Sequence, residues 1–252
     1  MSHRLDLSHP LPKGSRVLLL VAMEAEARSL IQELGLVRDA SFGDPRLPFV
    51  HHRGTVHGLD MLLSLAGQDA RYEVDSIGTE PAALSAYVSA TAFSPTLCIN
   101  AGTAGGFIKR GGAIGDVYLS DETFRFHDRR ISIPKFDAYG IGSFPSLDVR
   151  ALASKLGLKS GVVTTGSSLD LADCDSHAME GFGAHAKEME AAAIGWIMHT
   201  LAVPFFAIKA ITDLVDGPHP SHEEFLRNLD AASKRLHEAV LAVLGELAGA
   251  HV

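Results

Sequence analysis

Continuous apolar runs alternate with amphipathic segments along this chain, and the two patterns predict different elements. Residues 17–22 are apolar without interruption, which is typical of a strand buried on both faces. Residues 24–34 carry apolar side chains at helical spacing, and Gly35 is placed to end that helix. Ser221 and Glu224 have the spacing of a capping box. Further strands are predicted at 61–66, 96–100, 117–120, 162–165 and 205–210, and further helices at about 75–93, 188–201 and 221–247.

The order of these elements predicts the fold class. Buried strands that alternate with helices favour a single α/β domain, with a central mixed β-sheet between two helical layers. No internal repeat or linker divides the chain, so residues 17–252 are expected to form one domain. Residues 1–16 are polar and are expected to form a flexible N-terminal arm. Residues 127–144 lack clear periodicity and are expected to line a site or a contact surface.

Charge and composition narrow the possible partners. The 252 residues include 22 Lys and Arg against 30 Asp and Glu, which gives a net charge of −8. Without a basic excess, neither nucleic acid nor an anionic membrane surface is expected as a partner. The longest apolar run, residues 17–23, is far below the ~20 residues of a membrane span.

The cysteines and histidines show no metal-binding spacing. Cys98 and Cys174 lie far apart without a CxxC pair, which argues against a disulfide framework and favours a reducing, cytoplasmic location. The 13 histidines lack the HExxH spacing, so no metal or other cofactor is expected. Four of them are expected to be surface or structural residues: His127, His177, His185 and His222.

Polar residues and glycines follow the predicted strands. In open α/β sheets, ligands bind beyond the carboxyl ends of the strands, so these positions are expected to converge. No comparable group of Lys or Arg follows the strands. The candidate positions are Met23, Glu24, Glu26, Gly67, Gln68, Asp69, Thr103, Gly105, Gly106, Gly166, Ser167, Ser168, Leu169, Glu188, Met189, Glu190, Thr212 and Asp213.

Several of these positions also have structural explanations. Glu24 is best explained as a favourable charge at a helix N-terminus, and Asp213 could equally be a helix N-cap. The glycine-rich stretch 101–107 could form only a tight turn, because it lacks a Walker lysine and the dinucleotide-binding spacing. The carboxylates of 188–190 are harder to explain, since a charge beside an apolar helix is costly unless it binds something. Lys209, inside an apolar strand, is expected to snorkel or to pair with a carboxylate.

Eight short motifs, in a fixed order, suggest a family. They are VAMEAE at 21–26, NAGTAGGF at 100–107, GDV at 115–117, FHDRRI at 126–131, TGSSLD at 165–170, KEME at 187–190, KAITDLVDG at 209–217 and EEFL at 223–226. The set resembles the nucleoside phosphorylase superfamily and, within it, the plant-type 5′-methylthioadenosine nucleosidases. This resemblance implies a nucleoside phosphorylase-like fold. It also implies cofactor-free hydrolysis of 5′-methylthioadenosine to adenine and 5-methylthioribose, a step of methionine salvage.

The resemblance also implies roles for individual residues. Asp213 matches the general acid that protonates N7 of the leaving adenine, and Thr212 helps to position it. An unperturbed aspartate has a pKa of ~3.9, so a dry pocket is needed to keep Asp213 protonated. Glu26 matches the residue that holds the attacking water and takes its proton. Glu190 matches the carboxylate that binds the ribose hydroxyls, and Met189 packs against the sugar.

Further substrate contacts are implied around the base and the 5′ substituent. The expected binding residues are Thr103 and Gly105 beside the ribose and base, the backbone of Ser168 and Leu169 at the adenine edges, and Glu188. The apolar 5′ pocket has as candidates Met23, Leu169, Ile133, Phe136 and Phe225, although core packing also explains Phe225. The loop from 127 to 136 is expected to reach a neighbouring subunit, which implies a homodimer. S-adenosylhomocysteine is a second candidate substrate.

Two alternatives and one departure accompany this hypothesis. A phosphorylase of the superfamily would need a cation near Asn100, where this chain has none. A nucleoside storage protein on the same fold would not need Glu26, Glu190 and Asp213 together. The departure is Ser167, because the family usually has an aspartate there, which puts the local order of the adenine pocket in question.

Overall fold

The computed structural model describes residues 5–250, in which a large mixed β-sheet lies between two layers of helices. The strands are β1 Arg16–Val21, β2 Val37–Arg38, β3 Val50–Val56, β4 Leu59–Leu65, β5 Gln68–Asp69, β6 Val74–Asp75, β7 Leu97–Gly106, β8 Val117–Ser120, β9 Thr123–Phe126, β10 Phe144–Pro145, β11 Lys159–Thr165, β12 Ala184–Glu188 and β13 Phe205–Leu214. The helices are α1 Glu24–Glu33, α2 Thr79–Phe93, α3 Phe136–Ile141, α4 Arg150–Lys155, α5 Asp173–Phe182, α6 Ala191–Thr200 and α7 Ser221–Ala248, with a 3₁₀ turn at Ile108–Arg110.

Strand order brings the carboxyl ends of β1, β7 and β13 side by side. The sheet runs β10-β9-β11-β8-β13-β7-β1-β4-β3-β2, and β12 pairs with both β11 and β7. The three central strands are mutually parallel, whereas β8 is antiparallel to β13 and β3 is antiparallel to β4. Both orientations occur, so the predicted mixed sheet is confirmed. A separate hairpin of β5 and β6 lies outside this sheet.

Each face of the sheet packs against its own helices, which confirms the predicted three-layer sandwich. In β1, Val17, Leu19 and Val21 face one core, and Leu18 and Leu20 face the other. Helices α1, α4 and α7 contribute to the first core, while α2 and α6 contribute to the second. The strand is apolar throughout because both of its faces are removed from water.

Several element boundaries differ from the predicted ones. Helix α2 begins at Thr79 instead of near residue 75, because Gly78 adopts φ 100° and Asp75 pairs in the β5–β6 hairpin. The glycine-rich stretch is not a turn, since β7 continues through it to Gly106 in register with β13. Strand β13 likewise extends past residue 210 to Leu214, so Asp213 is not a helix N-cap.

The starts of two helices also correct the sequence-based prediction. Glu188 ends strand β12, and helix α6 begins only at Ala191 after an N-cap at Glu190. Helix α7 begins at Ser221 without the expected capping box, because Glu224 instead accepts a hydrogen bond from the backbone N–H of Leu214.

The irregular segment and the chain start also contain ordered contacts. Residues 127–144 include the short helix α3, which begins after Lys135 in a left-handed conformation. Leu11, in the predicted arm, is buried, and its N–H donates to the carbonyl of Leu247 at 2.7 Å. Residues 1–4 of the arm lie outside the described residues. No helix between residues 5 and 250 is long and apolar enough to cross a membrane.

Leu63 of β4 tests the contribution of this core. Its side chain is fully buried, so Leu63→Ala is expected to lower the free energy of unfolding by about 2–5 kcal/mol through lost burial and a new cavity. Leu226→Ala is the matched control, because Leu226 is 74% exposed and its loss should cost less than about 0.5 kcal/mol. Urea unfolding at one protein concentration measures both, and equal costs would contradict this description of the core.

Candidate active site

A cavity of about 310 Å³ opens at the carboxyl ends of the central strands. Strands β7 and β13, the residues after β1, the β12–α6 junction and the β5–β6 hairpin all contribute to it. Its lining is Ala22, Met23, Glu26, Val74, Asp75, Ile77, Asn100, Ala101, Gly102, Thr103, Ala104, Gly105, Leu169, Lys187, Glu188, Met189, Glu190, Lys209, Thr212, Asp213 and Phe225. Eleven of the fourteen residues to which the resemblance gave a role at the site therefore line one cavity, and Ser168, Ile133 and Phe136 do not.

Glu26 is a buried carboxylate held by the backbone and side chain of Thr103. Its Oε1 accepts hydrogen bonds from the N–H and the hydroxyl of Thr103, both at 2.7 Å. Its Oε2 lies 3.4 Å from the backbone nitrogen of Met23, which precedes helix α1. Burial raises the pKa of Glu26, although the Thr103 hydrogen bonds and the charge of Lys209 oppose the rise. A fixed carboxylate with a raised pKa can accept a proton from a bound water molecule.

Asp213 lies near the end of β13, where the strand contains a bulge. Its partner in β7 is Gly105, and the register shifts between Ile211 and Asp213. Consecutive residues of a regular strand point to opposite faces, but the bulge lets both Thr212 and Asp213 line the cavity. The Thr212 hydroxyl donates to Oδ1 of Asp213 at 2.9 Å. Burial raises the pKa of Asp213, which favours the protonated form that a general acid needs.

A fully buried ion pair lies beneath the cavity. Lys209 Nζ lies 2.8 Å from Oε2 of Glu188, and both side chains are 1% exposed. The same oxygen accepts the backbone N–H groups of Glu190 and Ala191, and the Thr165 hydroxyl donates to Oε1. The expectation that Lys209 pairs with a carboxylate is confirmed. Both oxygens of Glu188 already have protein partners, so its position suits a support for Glu190 better than a direct substrate ligand.

Glu190 is the N-cap residue of α6, and its carboxylate faces the cavity. The backbone N–H of Gly78 donates to its Oε1 at 3.0 Å. Burial, together with the charge of Glu188, raises the pKa of Glu190 to about 7, while Lys209 opposes the rise. The carboxylate therefore changes its protonation state near neutral pH, and it can accept hydrogen bonds from hydroxyl groups of a ligand when ionised.

Glycines of β7 allow these charged side chains to approach the strand. A Cβ at Gly102 would lie 3.4 Å from Lys209 Nζ and 3.5 Å from both carboxylate oxygens of Glu26. A Cβ at Gly105 would lie 2.9 Å from Oδ2 of Asp213, which is too close for an ordinary contact. The glycine-rich motif thus forms the floor of the cavity and not a tight turn.

Lys187 lines the cavity but was not among the predicted site residues. It is buried in β12, and its Nζ donates to the carbonyls of Ser168 and Leu169 at 2.5 and 3.0 Å. Its place directly before Glu188 and Glu190 was the available signal in the sequence, because ionisable residues that cluster in a cleft are candidates for function. Val74 and Ile77 were also missed, since the short β5–β6 hairpin has no hydrophobic periodicity.

The remaining predicted site residues lie at the edge of the cavity or outside it. Ser168 does not line the cavity, and its carbonyl accepts the hydrogen bond of Lys187. Phe136 lies in α3, is 53% exposed and is not part of the lining formed by one chain. At the departure from the family pattern, Ser167 lies close to a different carboxylate, since its N–H donates to Asp128 Oδ2 at 2.7 Å.

The histidines are not arranged to bind a metal. Among residues 5–250, no group of three or more His, Cys, Asp and Glu side chains is placed to hold a metal ion. His127 is buried, with Nδ1 3.2 Å from the Thr164 hydroxyl. Burial, aided by the charge of Lys187, lowers its pKa to about 4. It is therefore a neutral, structural residue at physiological pH.

Removal of Lys209 is expected to destabilise the site through its carboxylates. Lys209→Met leaves Glu188 buried without its counter-charge, which should cost about 3–5 kcal/mol at pH 7. The carboxylates would then have pKa values above those of the unfolded chain. The folded state would bind more protons, so the cost should decrease as the pH is lowered from 7 towards 5.

Urea unfolding of this variant at both pH values measures the effect. The double variant Lys209→Met/Glu188→Gln should recover part of the loss, because it removes both charges. Lys234→Met on helix α7 is the control, since Lys234 is exposed. A Lys209→Met variant as stable as the parent at pH 7 would contradict the role of the ion pair.

Comparisons with known proteins agree with this geometry. The sequence profile of the phosphorylase superfamily matches residues 16–245. The chain is 39% identical over 236 residues to a 5′-methylthioadenosine/S-adenosylhomocysteine nucleosidase of Arabidopsis thaliana, covering 93% of this chain and 92% of that one. It is 40% identical to a 5′-methylthioadenosine nucleosidase of the same plant, covering 93% and 88%.

A solved structure shows the same similarity in three dimensions. The apo form of Arabidopsis thaliana 5′-methylthioadenosine nucleosidase superposes with a TM-score of 0.91 at 38% identity, covering 94% of this chain and 97% of that one. Identity and coverage at these levels establish a common family. The chain therefore belongs to the phosphorylase superfamily and, within it, to the 5′-methylthioadenosine nucleosidase family.

Proposed function

We propose that this protein hydrolyses the N-ribosidic bond of 5′-methylthioadenosine and releases adenine and 5-methylthioribose. The observation that carries the proposal is the meeting of Asp213, Glu26 and Glu190 in one cavity, each with a pKa raised by burial. The names of the similar Arabidopsis thaliana proteins support the substrate. N-ribosidic hydrolysis needs an acid, a base and a ligand for the sugar, and three separate carboxylates supply these functions.

The proposed reaction begins at the leaving base. Asp213 donates its proton to N7 of adenine as the bond between the base and C1′ breaks, so adenine leaves as a neutral molecule. The sugar carbon becomes electron-deficient, as in an oxocarbenium ion. The hydrogen bond from Thr212 orients the Asp213 carboxyl, and burial keeps the proton on it until the base is bound.

Water completes the reaction from the side of the cavity where Glu26 lies. Glu26 accepts one proton of the water while the water oxygen forms the new bond to C1′. The N–H and hydroxyl of Thr103 hold Oε1 of the carboxylate, and this fixed orientation sets the direction of attack. Glu190, anchored by Gly78, binds the ribose hydroxyls, and its negative charge stabilises the electron-deficient sugar.

Hydrolysis is favoured over phosphorolysis by the charges of the lining. The cations there are Lys187 and Lys209; Lys187 donates to two carbonyls, and Lys209 pairs with Glu188. No arginine occurs in the part of the lining that the structure describes. A phosphate dianion among Glu26, Glu188 and Glu190 would meet like charges, which is strongly unfavourable.

The 5′ end of the substrate fits the apolar part of the cavity. Met23, Val74, Ile77 and Phe225 line it and offer a methylthio group a surface away from water. S-adenosylhomocysteine is a second proposed substrate, since one of the similar plant enzymes carries both nucleosides in its name. The homocysteine group of this nucleoside is larger than a methylthio group, so its binding free energy depends on how far the cavity opens beyond Phe225.

We further propose a homodimer in the cytoplasm that acts in methionine salvage. Exposed aromatic and aliphatic side chains on α2, α3, α6 and nearby loops support an interface, because water contact with so many apolar groups is unfavourable. They are Tyr72, Leu84, Tyr87, Ile133, Phe136, Tyr139 and Trp196. In a dimer, Phe136 could reach the 5′ pocket of the neighbouring subunit. Free thiols at Cys98 and Cys174 suit a reducing compartment.

Product analysis tests the reaction type directly. Incubation with 5′-methylthioadenosine should give free adenine and 5-methylthioribose at a rate that phosphate does not change, because the carboxylates of the cavity repel phosphate and its two lysines already bind protein oxygens. Chromatography with and without phosphate measures both products. A sugar 1-phosphate formed only with phosphate would contradict hydrolysis. Binding without any product would instead favour a storage protein.

Asp213→Asn separates catalysis from binding. The amide cannot donate a proton to N7 as the carboxylic acid does, so kcat should fall by about 10²–10⁴-fold while 5′-methylthioadenosine still binds. Asp230→Asn, an exposed change on α7, is the control and should retain the parent rate. Steady-state kinetics and calorimetric binding give the two values, and full activity of Asp213→Asn would refute the proposed mechanism.

A further inference from the structure

We propose that Lys187 is a positioning residue that fixes the adenine-binding backbone at Ser168 and Leu169 and places a positive charge in the same cavity as the carboxyl group of Asp213. The proposal rests on the proposed nucleosidase function. It assigns a task to a buried ammonium that the mechanism above does not use.

The position of Lys187 connects two parts of the site. It lies in β12 directly before Glu188, and its side chain lines the cavity. Its Nζ donates to the carbonyls of Ser168 and Leu169, which belong to the segment after β11. A lysine ammonium has three donors, and a carbonyl oxygen has two lone pairs. Each carbonyl can therefore be held by Lys187 and still accept a hydrogen bond from the amino group of a purine.

Apart from the bonds to Lys187, few side-chain hydrogen bonds hold the segment after β11. The N–H of Ser167 donates to Asp128, and the Ser167 hydroxyl lies 3.1 Å from the hydroxyl of Thr79. Beyond Ser167, Lys187 makes the described side-chain hydrogen bonds to the backbone at 168 and 169. Leu169 lines the cavity and is 43% exposed, so burial of its own side chain does little to fix the segment. The ammonium is thus the principal constraint on this edge of the cavity.

Of the two lysines that line the cavity, Lys187 is the one whose charge acts on Asp213. Burial lowers the pKa of Lys187, and the charges of Asp213, Asp170, Asp175 and Glu188 oppose that effect. On β13, burial raises the pKa of Asp213, and Glu224 of α7 raises it to a smaller extent; hydrogen bonds from Thr212 and Ser221 lower it, and the charge of Lys187 lowers it less strongly. The neighbouring His127 is neutral at physiological pH because burial holds its pKa at about 4. Loss of the ammonium should therefore raise the pKa of Asp213.

Lys187→Met, Lys187→Arg and a control variant test the proposal. Lys187→Met keeps the length and apolar volume of the side chain but removes the donors and the charge. Its KM for 5′-methylthioadenosine and its Kd for adenine should both rise about 10-fold or more, while kcat changes by less than about 3-fold. Lys187→Arg keeps donors and charge and should recover most of the affinity. Lys159→Met is the control, because Lys159 also binds a carbonyl, that of Gly111, but does not line the cavity.

The pH profile distinguishes positioning from a general loss of structure. In the proposed mechanism Asp213 must be protonated, so kcat/KM falls as the pH rises through its pKa. Lys187→Met should move this descending limb to higher pH, and Lys187→Arg should not. If Lys187→Met fails to fold, Lys187→Gln keeps an amide donor without the charge and should show the same displacement.

Two separate measurements distinguish failure of the proposed function from failure of the proposed role of Lys187. Adenine release by the parent enzyme tests the proposed function, whereas calorimetric adenine binding by the variants tests Lys187 without any turnover. Unchanged KM, adenine affinity and pH limb in the folded Lys187→Met variant would overturn the proposal. Equal losses in Lys187→Met and Lys159→Met would overturn it as well, because they would indicate a general effect of losing a lysine.

Discussion

The buried ion pair between Lys209 and Glu188 is the interaction on which the cavity depends. Glu26, Glu188 and Glu190 are all buried, and three carboxylates in a region of low dielectric repel one another. Lys209 lies among them and is attracted by all three; burial opposes its charged form, but Glu188 and Glu190 raise its pKa above the ordinary value. The positive charge of Lys209 lets the Glu188 carboxylate bind the backbone at the start of α6, while the carboxylates of Glu26 and Glu190 face the cavity.

The backbone of β7 is shaped to fit that cluster. Strand β7 is central, with β1 on one side and β13 on the other, so its hydrogen bonds fix its position. Gly102 and Gly105 carry no Cβ, and the carboxylates of Glu26 and Asp213 lie close to the space that a Cβ would take at these two positions. A strand fixed by pairing on both sides holds the floor of the cavity more precisely than a loop would.

The sequence predicted the architecture and most of the chemistry, for identifiable physical reasons. Uninterrupted apolar runs such as 17–22 arise only where both faces are buried, so the central strands and the three-layer sandwich could be read directly. The carboxylates that follow the strands were identified as candidate site residues because they interrupt an otherwise apolar sequence. The ends of the strands were less predictable from the sequence. The bulge at Thr212 and the extension of β7 depend on pairing between strands that are distant in the sequence, and the local hydrophobic pattern carries no information about that pairing.

The residues that were missed or misplaced depend on tertiary contacts in the same way. The hydrogen-bond partners of Lys187 lie outside β12, and its proposed role follows from carbonyls 18 and 19 residues earlier in the chain. The β5–β6 hairpin is too short for a periodic signal, yet Val74 and Ile77 reach the cavity. Phe136, expected in the 5′ pocket, lies outside the lining of a single chain, so its proposed role requires a second subunit.

The proposed reaction also accounts for why both the acid and the base are buried. Each turnover moves a proton from Asp213 to adenine and another from water to Glu26, so the enzyme ends with the acid ionised and the base protonated. Burial raises the pKa of both carboxyl groups, which makes Asp213 ready to regain a proton and lets Glu26 hold one until the products leave. Two carboxyl groups with ordinary pKa values would both be ionised at neutral pH, and the acid would then have no proton to donate.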